Sequence, residues 1–180
     1  MDAIEAMLTR RSIRKYTETG ISEHDLETML DCAMSAPTAF NQQSWRFVVV
    51  RDQAVRSRLS VASKWAGMLE SAPTVIVVCG DTRAERHEGA YWVQDATAAL
   101  ENVLIAANAI GLGAVWVGVH PWDDRIAAVK LALGLPDGIE PLGMVGIGHP
   151  LESKPPAGRL DWGKVHFDRW QPDHSGASTS

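Results

Sequence analysis

The stretch APTVIVVCG, residues 72–80, sets the first constraint on this chain. It is apolar throughout, without the alternation of a strand that has one wet face, and its β-branched residues are stiff at χ1. Such a strand has to be covered on both faces, so apolar layers must lie above and below a sheet. RFVVVR (46–51), AVWVGV (114–119) and EPLGMVGIGHP (140–150) supply three further strand-like runs. Helices supply the cover. A short amphipathic helix over 2–10 is expected to turn Ile4, Met7 and Leu8 inward. Ser22 followed by Asp25 opens a second helix with the stripe Leu26, Met29, Leu30 and Ala33. A third covers 53–62 and another 123–133, closed by Gly134 and Pro136. The longest, YWVQDATAALENVLIAANAIG (91–111), repeats Trp92, Ala96, Ala99, Val103, Ala107 and Ile110 at helical spacing and stops at Gly111. Two helices precede any strand, which counts against a doubly wound sheet, so the chain reads as α+β.

The 180 residues, 46% of them apolar, suffice for one core, and no repeat or linker divides them. After Pro150 the chain reads as extended, yet it keeps Leu160, Trp162, Phe167 and Trp170. Those side chains call for a surface, in a second subunit, whereas the final DHSGASTS reads as disordered. The expected organisation is one domain over 1–171, with an arm over 150–171 and a loose tail over 172–180. A net charge of -5, from 17 basic and 22 acidic residues, leaves no broad basic face for nucleic acid or an anionic membrane. The run VLIAANAIGLGAVWVGV (103–119) nears membrane-span length but is broken by Gly111, Gly113 and Gly118 and contains Asn108. The N-terminal MDAIEAMLTRR holds acids where a secretory signal needs an apolar core. Cys32 and Cys79, far apart in apolar surroundings, read as reduced core thiols, and the expected location is the cytoplasm.

Several chemistries find no support. GLGAVWVG has Trp116 where a dinucleotide fingerprint needs its third glycine, and it follows a helix instead of opening one. Histidines 24, 87, 120, 149, 166 and 174 lack metal-ligand spacing, and there is no G-x-S-x-G elbow. The basic turn TRRSIRKY (9–16) is more telling. Arg10, Arg11, Arg14 and Lys15 surround Ser12 in an otherwise acidic protein. Arg10, Ser12 and Arg14 alternate, so an extended segment sends them to one side, where guanidinium forks and a hydroxyl suit a phosphate monoester. The alternative is that Arg10 and Arg11 complement a helix C-terminus. A second stretch, SAPTAFNQQSW (35–45), offers Thr38, Asn41, Gln42 and Gln43. Its amides present donors and acceptors together, as the edge of a heterocycle requires, or they belong to a solvated loop.

Taken in order, RRSIRKY, APTAFNQQSWRFVVV, QDATAALENVLIAANAIGLGAVWVGV and GIGHPLESKPPAGRL resemble the nitroreductase family of FMN-dependent oxidoreductases over residues 1–161. The resemblance implies a central, mainly antiparallel sheet flanked by helices, with a C-terminal extension wrapping the partner of a homodimer. It implies that Arg10, Arg11, Ser12 and Arg14 hold the FMN phosphate and ribityl chain, with Arg159 as a second phosphate-side cation and Lys154 as a weaker candidate. Pro37, Thr38, Ala39 and Asn41 match a loop that reaches the flavin from the other subunit, with Gln42 and Gln43 in the same loop. Trp116, Val117 and Gly118 match backbone lying against the ring system, an amide N–H turned toward it. Lys64 is the candidate beside the flavin pyrimidine, and Phe40, Trp65 and Trp122 are candidate stacking surfaces. The sequence departs from the pattern at Thr38, where serine is usual, and at Ser44, where proline is common. The implied reaction is ping-pong hydride transfer from NADH or NADPH to a nitroaromatic, quinone or similar small acceptor. Flavin fragmentation, dehydrogenation or dehalogenation of a metabolite, and plain FMN storage stand as alternatives.

Overall fold

A computed structural model describes residues 1–84 and 91–170. The tail expected over 172–180, His87 and His174, and most of the charged connection at 81–89 fall outside these residues. Among the described residues, five α-helices and four strands follow in the order α1 (Ala3–Thr9), α2 (Glu23–Met34), β1 (Trp45–Val50), α3 (Gln53–Ser60), β2 (Thr74–Asp81), α4 (Trp92–Ala109), β3 (Gly113–Gly118), α5 (Asp123–Leu133) and β4 (Ile139–Gly148). The strands form one antiparallel sheet in the order β1-β2-β4-β3. The fold is α+β.

Every residue of β2 is buried, as its unbroken apolar run requires. Ile76 and Val78 point to one face, where they meet α2 and α4 together with Val145 and Ile147 of β4. Val75, Val77 and Cys79 point to the other, where they meet Leu59 of α3, Val129 of α5 and Leu69. Each such fully buried aliphatic side chain contributes about 1.5–3 kcal/mol. Cys32 and Cys79 are both free thiols. No helix among the described residues is long and apolar enough to cross a membrane.

Local signals account for the helix ends. Ser22 Oγ accepts the Asp25 N–H at 3.0 Å and donates to the Asp25 carboxylate at 2.7 Å, which starts α2. Gly134, at φ 62°, ends α5 in the left-handed conformation. Asn108, the polar residue inside the apolar stretch, donates from Nδ2 to Ala6 O at 3.0 Å and to Thr9 Oγ1 at 2.9 Å, tying the end of α1 to α4.

The first helix departs from expectation. Ala6 is its buried residue, whereas Ile4, Met7 and Leu8 are 67%, 54% and 68% exposed in the single chain. A seven-residue helix lying on the small-residue face of α4 makes its close approach through alanine, so its larger side chains face away. Trp162, Phe167 and Trp170 of the arm are also exposed.

Candidate functional site

Arg10 leaves α1 with φ -53° and ψ 129°, and the chain continues along the outer edge of β3. There Ile13 N–H donates to Ala114 O at 3.0 Å, and Thr17 N–H donates to His149 O at 2.9 Å. Ile13 and Tyr16 turn into the core. The Tyr16 hydroxyl donates to Gly146 O at 3.0 Å and also faces Ile13 O, and burial pushes its pKa above the ordinary tyrosine value. The approach requires glycine at 113, because a Cβ there would lie 2.6 Å from Ile13 Cγ2.

With the apolar residues of this segment inward, its charges face outward. Arg10, Arg11, Ser12 and Arg14 line a cavity of about 320 Å³ together with Lys154 and Arg159, from a segment some 140 residues later. Five of these six side chains are cationic. Arg10 Nε lies 3.4 Å from Glu101 of α4, and the Arg11 guanidinium donates to Pro155 O. Lys154 Nζ donates to Ser12 O at 2.6 Å and to Glu152 at 3.1 Å. Glu152 also accepts the Arg14 N–H, and this bond, followed by the Lys154 contact, holds its carboxyl below the usual range. The Arg10 and Arg11 side chains therefore engage α4 and the arm, with no hydrogen bond to the last carbonyls of α1 among the described residues. Arg159 forms no ion pair among the described residues. Positive charge here exceeds what the neighbouring carboxylates compensate, as an anion receptor needs.

Arg14 also lines a second cavity of about 610 Å³, shared with Lys64, Trp65, Trp116, Val117, Gly118 and Arg125. The edge position of β3 decides what this cavity offers. Ala114 spends its carbonyl on Ile13, on the side of β3 away from β4. Backbone groups alternate sides with period two, so Trp116 and Gly118 present theirs on that same outer edge. Gly118 O is taken by Arg125 at 3.1 Å, while the N–H groups of Trp116 and Gly118 face the cavity with no strand beside them among the described residues. Lys64 Nζ lies 5.1 Å from the Trp65 ring, and the Arg125 guanidinium lies 5.1 Å from that of Trp122. Arg125 escaped the sequence reading because a lone arginine in the first turn of a helix carries no local signature.

The polar loop lies apart from both cavities. None of Pro37, Thr38, Ala39, Asn41, Gln42 or Gln43 lines either of them within one chain. Phe40 meets Tyr91 edge-on, with centroids 6.0 Å apart. Three non-glycine residues, Phe40, Asn41 and Gln43, adopt φ of 53°, 50° and 51°, a sparsely populated conformation that clusters at functional sites. Thr38 Oγ1 accepts the Gln43 N–H at 3.2 Å, and Asn41 Oδ1 accepts Gln43 Nε2 at 3.0 Å. Asp95 of α4 accepts the Ala39 N–H at 2.9 Å and Gln42 Nε2 at 3.1 Å. The sequence offered one sign of Asp95, a carboxylate standing directly before Ala96 in an apolar helical stripe.

The family model for the Nitroreductase family matches residues 7–67 and 60–149. The chain belongs to the nitroreductase family. A relative in Archaeoglobus fulgidus, named as a candidate NADH dehydrogenase/NAD(P)H nitroreductase, is 38% identical over 172 residues, covering 94% of this chain and 99% of its own. A crystal structure from Bacteroides thetaiotaomicron, named in the same way, superposes with a TM-score of 0.89 at 35% identity, over 93% of this chain and 98% of its own. An FMN-dependent nitroreductase structure from Clostridium difficile gives 0.86 at 27% identity, over 93% and 99%. The nitroreductase match takes in the basic turn, the polar loop and β3, whereas Lys154 and Arg159 lie beyond its last residue.

Proposed function

We propose that this chain forms a homodimer with FMN at its interface and uses NADH or NADPH to reduce a small acceptor such as a nitroaromatic or a quinone. Its family makes it an FMN-dependent oxidoreductase. The observation that carries the reading is the convergence of Arg10, Arg11, Ser12, Arg14, Lys154 and Arg159 on one cavity that continues, through Arg14, to an open strand edge. The residues fit the cofactor: the cationic cavity suits a phosphate monoester, and the free N–H groups of Trp116 and Gly118 suit a heterocycle rich in acceptors. Arg10, Arg11, Ser12, Arg14 and Arg159, with Lys154, hold the phosphate end. Lys64 and Arg125 set positive charge beside the ring-side cavity, where charge develops on reduction. Bound FMN supplies the two-electron hydride chemistry, with NAD(P)H and acceptor using one slot in turn, a ping-pong order.

The polar loop and the dimer belong to the same reading. Pro37, Thr38, Ala39, Asn41 and Gln42 serve the flavin of the partner subunit, which accounts for their distance from the basic cavity of their own chain. Ile4, Met7 and Leu8 on α1 and Trp162, Phe167 and Trp170 on the arm are exposed apolar surface of the kind a partner covers. One FMN-binding domain then spans 1–171, with 150–171 as the exchanging arm.

The test is an absorbance spectrum of the purified protein with the stoichiometry of its released chromophore. Flavin bands at about one FMN per chain, bleached anaerobically by NADH or NADPH and restored by a quinone, are expected. A colourless protein that also fails to take up added FMN overturns the proposal.

A further inference from the structure

Asp95 is 4% exposed, and among the described residues no cation pairs with it. A buried carboxylate without a counter-charge is costly, so it depends on hydrogen bonds to offset the loss of water. Both of its side-chain hydrogen bonds among the described residues go to the polar loop: Oδ1 takes the Ala39 N–H and Oδ2 takes the Gln42 side-chain amide. Those two donors bracket Phe40 and Asn41, the successive residues held at positive φ. A segment in that conformation relaxes unless its surroundings hold it there. Asp95 thus clamps both ends of the strained turn to α4, an element anchored in the main core.

We propose that Asp95 is the positioning residue of the cofactor-facing loop: it touches no cofactor itself but fixes the turn that presents Thr38, Asn41 and Gln42. This rests on the reading that the loop meets FMN. The clamp works through hydrogen bonds and not through net charge. Asparagine can therefore replace aspartate at this position: its carbonyl oxygen accepts from Ala39, and its amide donates to Gln42 once the Gln42 amide turns over. Alanine can do neither.

The experiment compares wild type, Asp95→Asn and Asp95→Ala by FMN titration at several salt concentrations and by amide hydrogen exchange of residues 38–43. Asp95→Ala is expected to speed exchange of the Ala39 amide and weaken FMN binding about tenfold, one hydrogen-bonded contact's worth. Its dependence on salt should stay that of the wild type, because no phosphate contact has changed. Asp95→Asn should remain within about threefold of wild type in both readouts. Unchanged Ala39 exchange in Asp95→Ala, or an asparagine variant as impaired as the alanine one, overturns the proposal. If Asp95→Ala does not fold, a second pair of variants decides. Gln42→Glu sets a carboxylate against Asp95 and should expose the Ala39 amide, and adding Asp95→Asn should restore its protection by exchanging donor and acceptor. No restoration overturns the clamp. A wild-type protein that holds no FMN instead sinks the functional reading, and the exchange measurement still reports whether Asp95 orders the loop.

Discussion

The basic turn at 10–16 and the polar loop at 38–43 are both assigned to one cofactor, yet they are built on opposite principles. The turn concentrates charge: its arginines join Lys154 and Arg159 in a cavity complete within a single chain. Buried Ile13 and Tyr16 anchor it to the edge of the sheet, so its backbone is ordinary and its charged side chains are left to line the cavity. The loop carries no charge of its own and is held by Asp95 through neutral donors. It stores backbone strain, and it lines neither cavity of its own chain. Charge acts over several ångströms and tolerates imprecise placement, whereas amide recognition needs donors aimed to within tenths of an ångström. Under the proposed function, that difference accounts for a loop, and not a turn, that is strained and clamped.

Subunit mixing puts the comparison under the greatest stress. Chains carrying Arg10→Ala with Arg14→Ala, and chains carrying Asn41→Ala with Gln42→Ala, should each bind little FMN. If turn and loop come from different subunits, random exchange restores one intact site in each mixed dimer, so about a quarter of wild-type sites return. No recovery on mixing places both elements in one chain. Next in size, Arg10→Ala with Arg14→Ala alone should weaken FMN about 100-fold and flatten its dependence on salt, while exposed Lys15→Ala stays within about threefold. Equal retention by the two proteins, read by flavin fluorescence titration, sinks the phosphate assignment. Gln42→Ala should cost about tenfold with the salt dependence intact, the mark of a neutral contact. A flattened salt dependence in that variant erases the distinction between the two regions.

Two smaller effects concern what holds the regions in place. Tyr16→Phe removes the hydroxyl that ties the turn to Gly146 O and should lower stability by about 1–2 kcal/mol in urea denaturation. A loss confined to FMN affinity would show that Tyr16 acts on the site alone. In β2, burial, aided by Glu140, pushes the Cys79 thiol from 9.0 up to about 12. The folded chain thus holds this proton more tightly than the unfolded chain. Stability is intact below pH 9 and falls by up to about 1.4 kcal/mol per unit as pH rises toward the folded value. Cys79→Val should lessen that alkaline decline without moving FMN affinity at neutral pH, and an unchanged slope removes Cys79 from the account.

Much of this was legible along the chain, for specific reasons. APTVIVVCG announced a strand covered on both faces because it never alternates, and Ser22 with Asp25 announced the start of α2 because capping is a local hydrogen bond. The basic turn was visible because charge density does not depend on the fold. What failed was inference about the direction of α1: Ile4, Met7 and Leu8 make a plausible inward stripe, but Ala6 is the residue that α4 accepts. Asp95 and Arg125 were also missed, since each acts through an element distant in sequence, at Ala39 and Gln42 or at the end of β3.

The sequence by itself thus determined the elements, their capping, the layered α+β class and the presence of a turn dense in positive charge, all consequences of neighbours within a few residues. Only the tertiary structure decided that Lys154 and Arg159 complete that turn, that the outward N–H groups of β3 open onto the adjoining cavity, and that a carboxylate on α4 clamps the strained loop. Those facts depend on which edge of the sheet stays unpaired and which helix face lies beneath a loop. Such choices are made by packing across long separations, where no local pattern records them.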